Sequence, residues 1–299
     1  MRFEALPEEP RVPHGFFELP EEKVVVPSSA FGRVSLSVRR AGSGPPLLLV
    51  HGLMTSSYSF RYAIAPLAED YEVFVFDLPG AGRSDAPDVP YRADALADLI
   101  GEAMDALSIT GARVVGNSMG GYLAMRLALR RPEAMSRLVN LHSPGVPTPR
   151  MWALQAAMAL PGAGAVLDRL VRRDPLRWAF RNVHYYDESL KSLEEAREYR
   201  APLATPEGRR AFHRYLADTL RASDMRDFAA TLEATPCFPV PLQLIYVRHD
   251  PMVPPEVGRA LAPRVPDAEV VWLDEGSHFA HVDALDAFLG AARPFLAGR

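Results

Sequence analysis

Short apolar runs and amphipathic stretches alternate along most of this chain, and their periods assign them. Runs near 23–26, 34–39, 46–50, 72–77, 112–117, 137–142, 242–247 and 268–273 have the length and composition of strands. Leu47-Leu48-Leu49-Val50 is apolar without a break, the pattern of a strand covered on both faces. Apolar residues at three- and four-residue spacing predict helices near 60–69, 92–108, 119–131, 255–263 and 283–295. Strand and helix alternate from residue 46 onward. The expected fold class is therefore α/β, a mostly parallel eight-stranded sheet flanked by helices. The first two runs, joined around Gly32-Arg33, predict an antiparallel hairpin.

The alternation stops between Val146 and Cys237. That stretch has no convincing strand, and its periodicity predicts helices near 149–160, 163–172, 187–197, 206–221 and 224–233. Ser143-Pro144-Gly145 and Pro239-Val240-Pro241 punctuate its two ends. The expected organisation is a core of residues 1–145 and 238–299 with residues 146–237 inserted as a helical unit.

Composition narrows the function classes. The 299 residues are 48% hydrophobic and 23% charged, enough for a sizeable core. A net charge of −4 gives no reason to expect nucleic-acid binding. Cys237 is the single cysteine, so no intrachain disulfide forms. The first ten residues lack the apolar core of a secretory signal, and no run approaches the ~20 apolar residues that span a bilayer. The expectation is a cytoplasmic enzyme acting on a small molecule, without a membrane or nucleic-acid partner.

One pattern then points to chemistry. Gly116-Asn117-Ser118-Met119-Gly120 lies between the run ending at Val115 and the helix-like stretch after it. In a sharp strand-to-helix turn, this spacing lifts a serine hydroxyl clear of the sheet at a helix N-terminus. A serine needs an imidazole to take its proton and a carboxylate to orient that imidazole. Asp250 follows the run at 242–247, at the edge of the sheet where catalytic groups gather. Asp77 is its rival, but it precedes the serine on another loop. The strand near 137–142 ends in His142 and has no carboxylate. His278 follows the run at 268–273 after Gly276-Ser277, with His281 as its competitor. His51-Gly52-Leu53-Met54 can present the Leu53 amide to a developing oxyanion, and the Met119 amide is the second donor. A His-x-x-His metal pair at 278 and 281 has no further ligand cluster beside it, so no metal is expected.

Together these residues resemble the alpha/beta-hydrolase superfamily, in its group with an inserted helical cap. The resemblance runs from about Val24 to the C-terminus. It rests on His51-Gly52, on Asp77-Leu78-Pro79-Gly80-Ala81-Gly82-Arg83-Ser84, on Gly116 to Gly121, on Asp250 and on Gly276-Ser277-His278. It implies a triad of Ser118, Asp250 and His278 with oxyanion amides at Leu53 and Met119, and no cofactor. The stretch from His51 to Tyr58 is similar to haloalkane dehalogenases and epoxide hydrolases, and Tyr185-Tyr186 is similar to epoxide-activating tyrosines. Those enzymes use an aspartate nucleophile, so Ser118 excludes both activities. Asn117-Ser118-Met119-Gly120-Gly121 also resembles the elbow of C–C hydrolases, whose oxyanion loop is Gly- and Pro-rich and whose histidine is followed by tryptophan; here Phe279 follows His278. The expected function is serine hydrolysis of a carboxylic ester. C–C hydrolysis, cofactor-free perhydrolysis and a slow-turnover receptor stand beside it. Trp152, Tyr185 and Phe279 are the expected substrate contacts, and oligomeric state is not readable.

Overall fold

A computed structural model describes residues 2–298. Eight strands form one sheet: β1 (Glu21–Ser28), β2 (Gly32–Ala41), β3 (Pro46–Val50), β4 (Glu72–Phe76), β5 (Ala112–Asn117), β6 (Met135–Leu141), β7 (Leu242–Val247) and β8 (Glu269–Leu273), in the order β1-β2-β4-β3-β5-β6-β7-β8. β1 and β2 pair antiparallel, with Ser28 opposite Gly32, and β2 runs antiparallel to β4. From β4 to β8 every pairing is parallel.

Because strand side chains alternate, β3 splits its apolar run between two cores. Leu48 and Val50 join Phe74, Phe76 and Val114 on one face, while Leu47 and Leu49 join Val73, Val75 and Val115 on the other. Helix α1 (Ile64–Leu67) follows a 3-10 turn at Ser57–Phe60, where the sequence predicts a longer helix over 60–69. Helix α2 (Ala93–Ala106) buries Leu96, Leu99, Ile100, Ala103 and Met104, one stripe at helical spacing. Helix α3 (Met119–Arg130) leaves the end of β5 directly and is tied to α2 by Arg126–Asp94 and Arg130–Asp98 ion pairs.

Between β6 and β7 lie α4 (Pro149–Met158), α5 (Ala163–Arg173), α6 (Pro175–Asn182), α7 (Leu193–Leu203), α8 (Pro206–Arg214) and α9 (Ala222–Ala234). Thr148, Asp174, Ser192 and Thr205 each accept a backbone N–H as N-caps of α4, α6, α7 and α8. Helix α6 is absent from the sequence expectation. The helix expected over 187–197 is a 3-10 turn at Glu188–Leu190 followed by α7, because Ser192 caps there instead. Helix α10 (Pro255–Leu261) follows β7, and the last helical stretch divides at Ala284 into α11 (Ala280–Asp283) and α12 (Leu285–Ala297).

The N-terminal segment clasps the insertion. The Leu193 and Glu194 amides donate to the Pro7 and Glu8 carbonyls at 2.8 and 3.0 Å. Glu4 pairs with Arg177, Glu8 with Arg197, and His14 Nε2 lies 2.9 Å from Glu194 Oε1. The His14 side chain is thereby packed. Beneath the clasp, Arg61 is buried with its Nη2 2.9 Å from Glu195 Oε1, while the Tyr185 hydroxyl donates to the same oxygen.

Candidate active site

Ser118 sits between β5 and α3 at φ 54°, ψ −121°, a strained conformation for a residue with a Cβ. The strand and helix touch on either side of it. A Cβ on Gly116 would lie 2.5 Å from Gly121 Cα, and one on Gly120 would lie 2.2 Å from the Val50 carbonyl oxygen. The Ser118 amide donates to the Leu141 carbonyl at 2.7 Å, and α3 begins at the next residue. Ser118 is half-buried, while Asp250 and His278 are buried.

The structure brings Asp250 and His278 together across the loops after β7 and β8. His278 Nδ1 lies 2.7 Å from Asp250 Oδ2. Asp250 Oδ1 accepts the Met252 and Val253 amides at 2.7 and 3.0 Å. A carboxylate only accepts, so Nδ1 carries a proton, and in the neutral imidazole Nε2 is then the atom with the lone pair. Burial pushes the Asp250 carboxyl up, but the facing His278 and His142 imidazoles outweigh it and hold the group well below the usual carboxylate range. The His278 loop is held at both ends. Asn117 Nδ2 donates to the His278 carbonyl at 3.2 Å, and Asp283 accepts the Ser277 amide at 3.1 Å and the Tyr186 amide at 2.7 Å.

The rival groups have other partners. Asp77 accepts the Ser57 and Arg83 amides, both at 2.8 Å, and so organises its own loop. His51 Nε2 accepts the Leu78 amide at 2.9 Å, and its Nδ1 lies 2.8 Å from the Gly52 carbonyl. That imidazole ties the loop after β3 to the loop after β4. His281 is fully buried against Phe60, with ring centroids 4.7 Å apart, and burial pushes its pKa well below the usual histidine value. The loop carrying Leu53 reaches Ser118 because Gly52 has no side chain; a Cβ there would stand 3.1 Å from Ser118 Cβ.

In the insertion, Val171, Leu203 and Phe212 form a small buried cluster, and Leu53 and Met54 of this loop pack against it, as do Leu167 and Trp178. Phe279 and Tyr185 are buried and pack edge to face at 5.5 Å, and the Phe279 ring lies 5.4 Å from that of His278. Trp152 is 39% exposed on α4, outside the cluster.

His142 is the neighbour that sequence reasoning passed over. Its ring is fully buried and its Nδ1 lies 3.2 Å from Asp250 Oδ2. The one available signal was its place just after β6, on the same sheet edge as the Asp250 and His278 loops. His142, Asp250 and His278 present donor atoms within 4.8 Å of one another, the spacing of a metal site. Within it, His278 and two backbone amides hydrogen-bond to Asp250, while the two His142 ring nitrogens have no hydrogen-bond partner.

A family model described as alpha/beta hydrolase fold matches residues 45–285. The chain is 29% identical over 272 residues to 2-hydroxymuconate semialdehyde hydrolase of Pseudomonas sp. (strain CF600), covering 88% of this chain and 91% of that protein. It is 28% identical to pimeloyl-[acyl-carrier protein] methyl ester esterase of Aeromonas hydrophila, covering 88% and 100%. The solved structure of meta-cleavage product hydrolase from Pseudomonas fluorescens IP01 matches with a TM-score of 0.69 at 26% identity, over 94% and 99% of the two chains.

Proposed function

Because the chain belongs to the alpha/beta hydrolase fold family, we propose that it is a serine hydrolase cleaving a carboxylic ester of a small, largely apolar substrate. The observation that carries this reading is Ser118 strained at a helix N-terminus on the edge that also carries the buried Asp250–His278 pair. Ser118 Oγ attacks the carbonyl carbon while His278 Nε2 takes its proton. Asp250 keeps that imidazole in the Nδ1–H tautomer and stabilises its charge. The Leu53 and Met119 amides donate to the oxyanion, each worth about 3–4 kcal/mol of transition-state stabilisation. The tetrahedral intermediate collapses, His278 protonates the leaving alkoxide, and water attacks the acyl-enzyme by the same route. The helical insertion acts as a cap, and the apolar cluster of Val171, Leu203 and Phe212 against which Leu53 packs favours an apolar acyl or alcohol part. Phe279 packs beside the His278 imidazole with Tyr185 edge-on behind it, so these two, with Trp152, remain the proposed substrate contacts.

Hydrolysis of p-nitrophenyl esters of increasing acyl length tests the reading. Wild-type turnover that falls by about 10³-fold or more in Ser118→Ala is the expected result. Equal turnover in the variant, or none in either protein, overturns it. A second reading, hydrolysis of a C–C bond in a ring-cleavage product, draws on the similarity to 2-hydroxymuconate semialdehyde hydrolase. Turnover of a coloured dienoate with poor ester turnover selects it.

A further inference from the structure

We propose that His142 is a positioning residue, a second imidazole on Asp250 that shares the Oδ2 oxygen with His278 and so sets how strongly the carboxylate acts on the base. The inference rests on the serine-hydrolase reading and adds a group to its site. His142 is fixed by the fold rather than by chance packing. It follows β6 in the left-handed region at φ 56°, its amide donates to the Ile245 carbonyl at 2.9 Å, and its ring is fully buried. Its ring centroid lies 5.5 Å from that of His278.

Four donors surround Asp250. Two amides take Oδ1, and two imidazole Nδ1 atoms face Oδ2, at 2.7 Å for His278 and 3.2 Å for His142. The His142 N–H is not aligned along its contact, and both of its ring nitrogens lack a hydrogen-bond partner of good geometry. The directed bond therefore belongs to His278, and His142 contributes chiefly through its dipole. The groups facing His142 come from three places. Asp250 and Tyr246 lie on and after β7, His278 follows β8, and His281 and Asp283 lie on α11. Burial dominates these and keeps His142 neutral, with Asp250 and Asp283 opposing and His278 assisting. A neutral imidazole beside a carboxylate turns its N–H toward it, because a lone pair there is repelled. That positive edge draws on the same carboxylate charge that faces His278.

Removing the donor therefore raises the proton affinity of His278. In His142→Leu the acid limb of kcat/KM for the ester moves to higher pH, by about half to one unit. His142→Asn keeps an N–H donor and tolerates a positive φ, and it returns the limb to the wild-type position. A limb unmoved in both variants, with turnover retained, reduces His142 to packing and overturns the proposal. A second measurement needs neither turnover nor a strained variant. In histidine-labelled Ser118→Ala protein, NMR over about pH 5 to 8 should find His142 neutral and in the Nδ1–H form. An Nε2–H tautomer, or protonation of His142 before His278, overturns the proposal. Failure of ester turnover with that tautomer present removes the esterase reading and leaves the positioning role standing; turnover with an unmoved limb does the reverse.

Discussion

Asp250 holds its two oxygens toward two amides and two imidazoles, so the effect of its charge is separable from that of its shape. Asp250→Asn retains an acceptor for the amides but turns an NH₂ group toward His278, which favours the wrong tautomer. We expect kcat on the ester to fall by about 10⁴-fold with KM little changed. Steady-state kinetics check this, and a loss below tenfold would remove Asp250 from the mechanism. At Gly120 the constraint is steric. An alanine Cβ would press on the Val50 carbonyl, moving α3 away from β3 and costing about 2–4 kcal/mol, read as a lower urea midpoint. Ser118, Asp250 and His278 stand out in the sequence because each sits in a local context, a strand followed by a loop or elbow. His142 and Asn117 were not, since their roles depend on loops that meet only after the sheet has formed.

Strands were the most legible elements, for buried parallel strands read as unbroken apolar runs. The insertion was less so. Helix α6 was missed although Asp174-Pro175 is a cap followed by proline at the first helical position, the signal that also opens α4 at Thr148-Pro149 and α8 at Thr205-Pro206. What joins the insertion to the core could not be read at all, because Arg61 and Glu195 look like surface charges until the fold buries them. Burial pushes the Glu195 carboxyl up, and Arg61 opposes that shift. Arg61→Met leaves Glu195 buried without its counter-charge and should destabilise the protein by about 3–5 kcal/mol, whereas Arg61→Met with Glu195→Leu should recover much of it. Chemical denaturation of the two variants and the wild type distinguishes them; equal stability of the single and double variants would mean the pair is uncoupled.

Across the whole molecule, the histidines set an acid limit to stability. His51, His142 and His281 are each fully buried, and burial pushes each below the ordinary value of 6.5. Below about pH 6.5 the unfolded chain takes up protons that the native state refuses. Stability is then full above that pH and falls as the pH drops toward the folded-state values. Each such group contributes a slope of up to about 1.4 kcal/mol per pH unit. The melting temperature should fall between pH 7 and pH 5, and calorimetry in buffers of different ionisation heat should find net proton uptake on unfolding; a flat profile would contradict it. The clasp on the insertion bears on the order of folding. Its side-chain contacts join residues 173 to 189 positions apart, from Arg177–Glu4 to Arg197–Glu8. Closing loops of that length is entropically costly and slow, so these contacts form late. Val12 and His14 also meet Tyr62 and Tyr58 of the core, but Glu4 and Glu8 wait for their partners through synthesis until α6 and α7 emerge. The species expected to accumulate during refolding has a formed sheet and an insertion that has not yet docked, with its apolar underside open to protease and to aggregation.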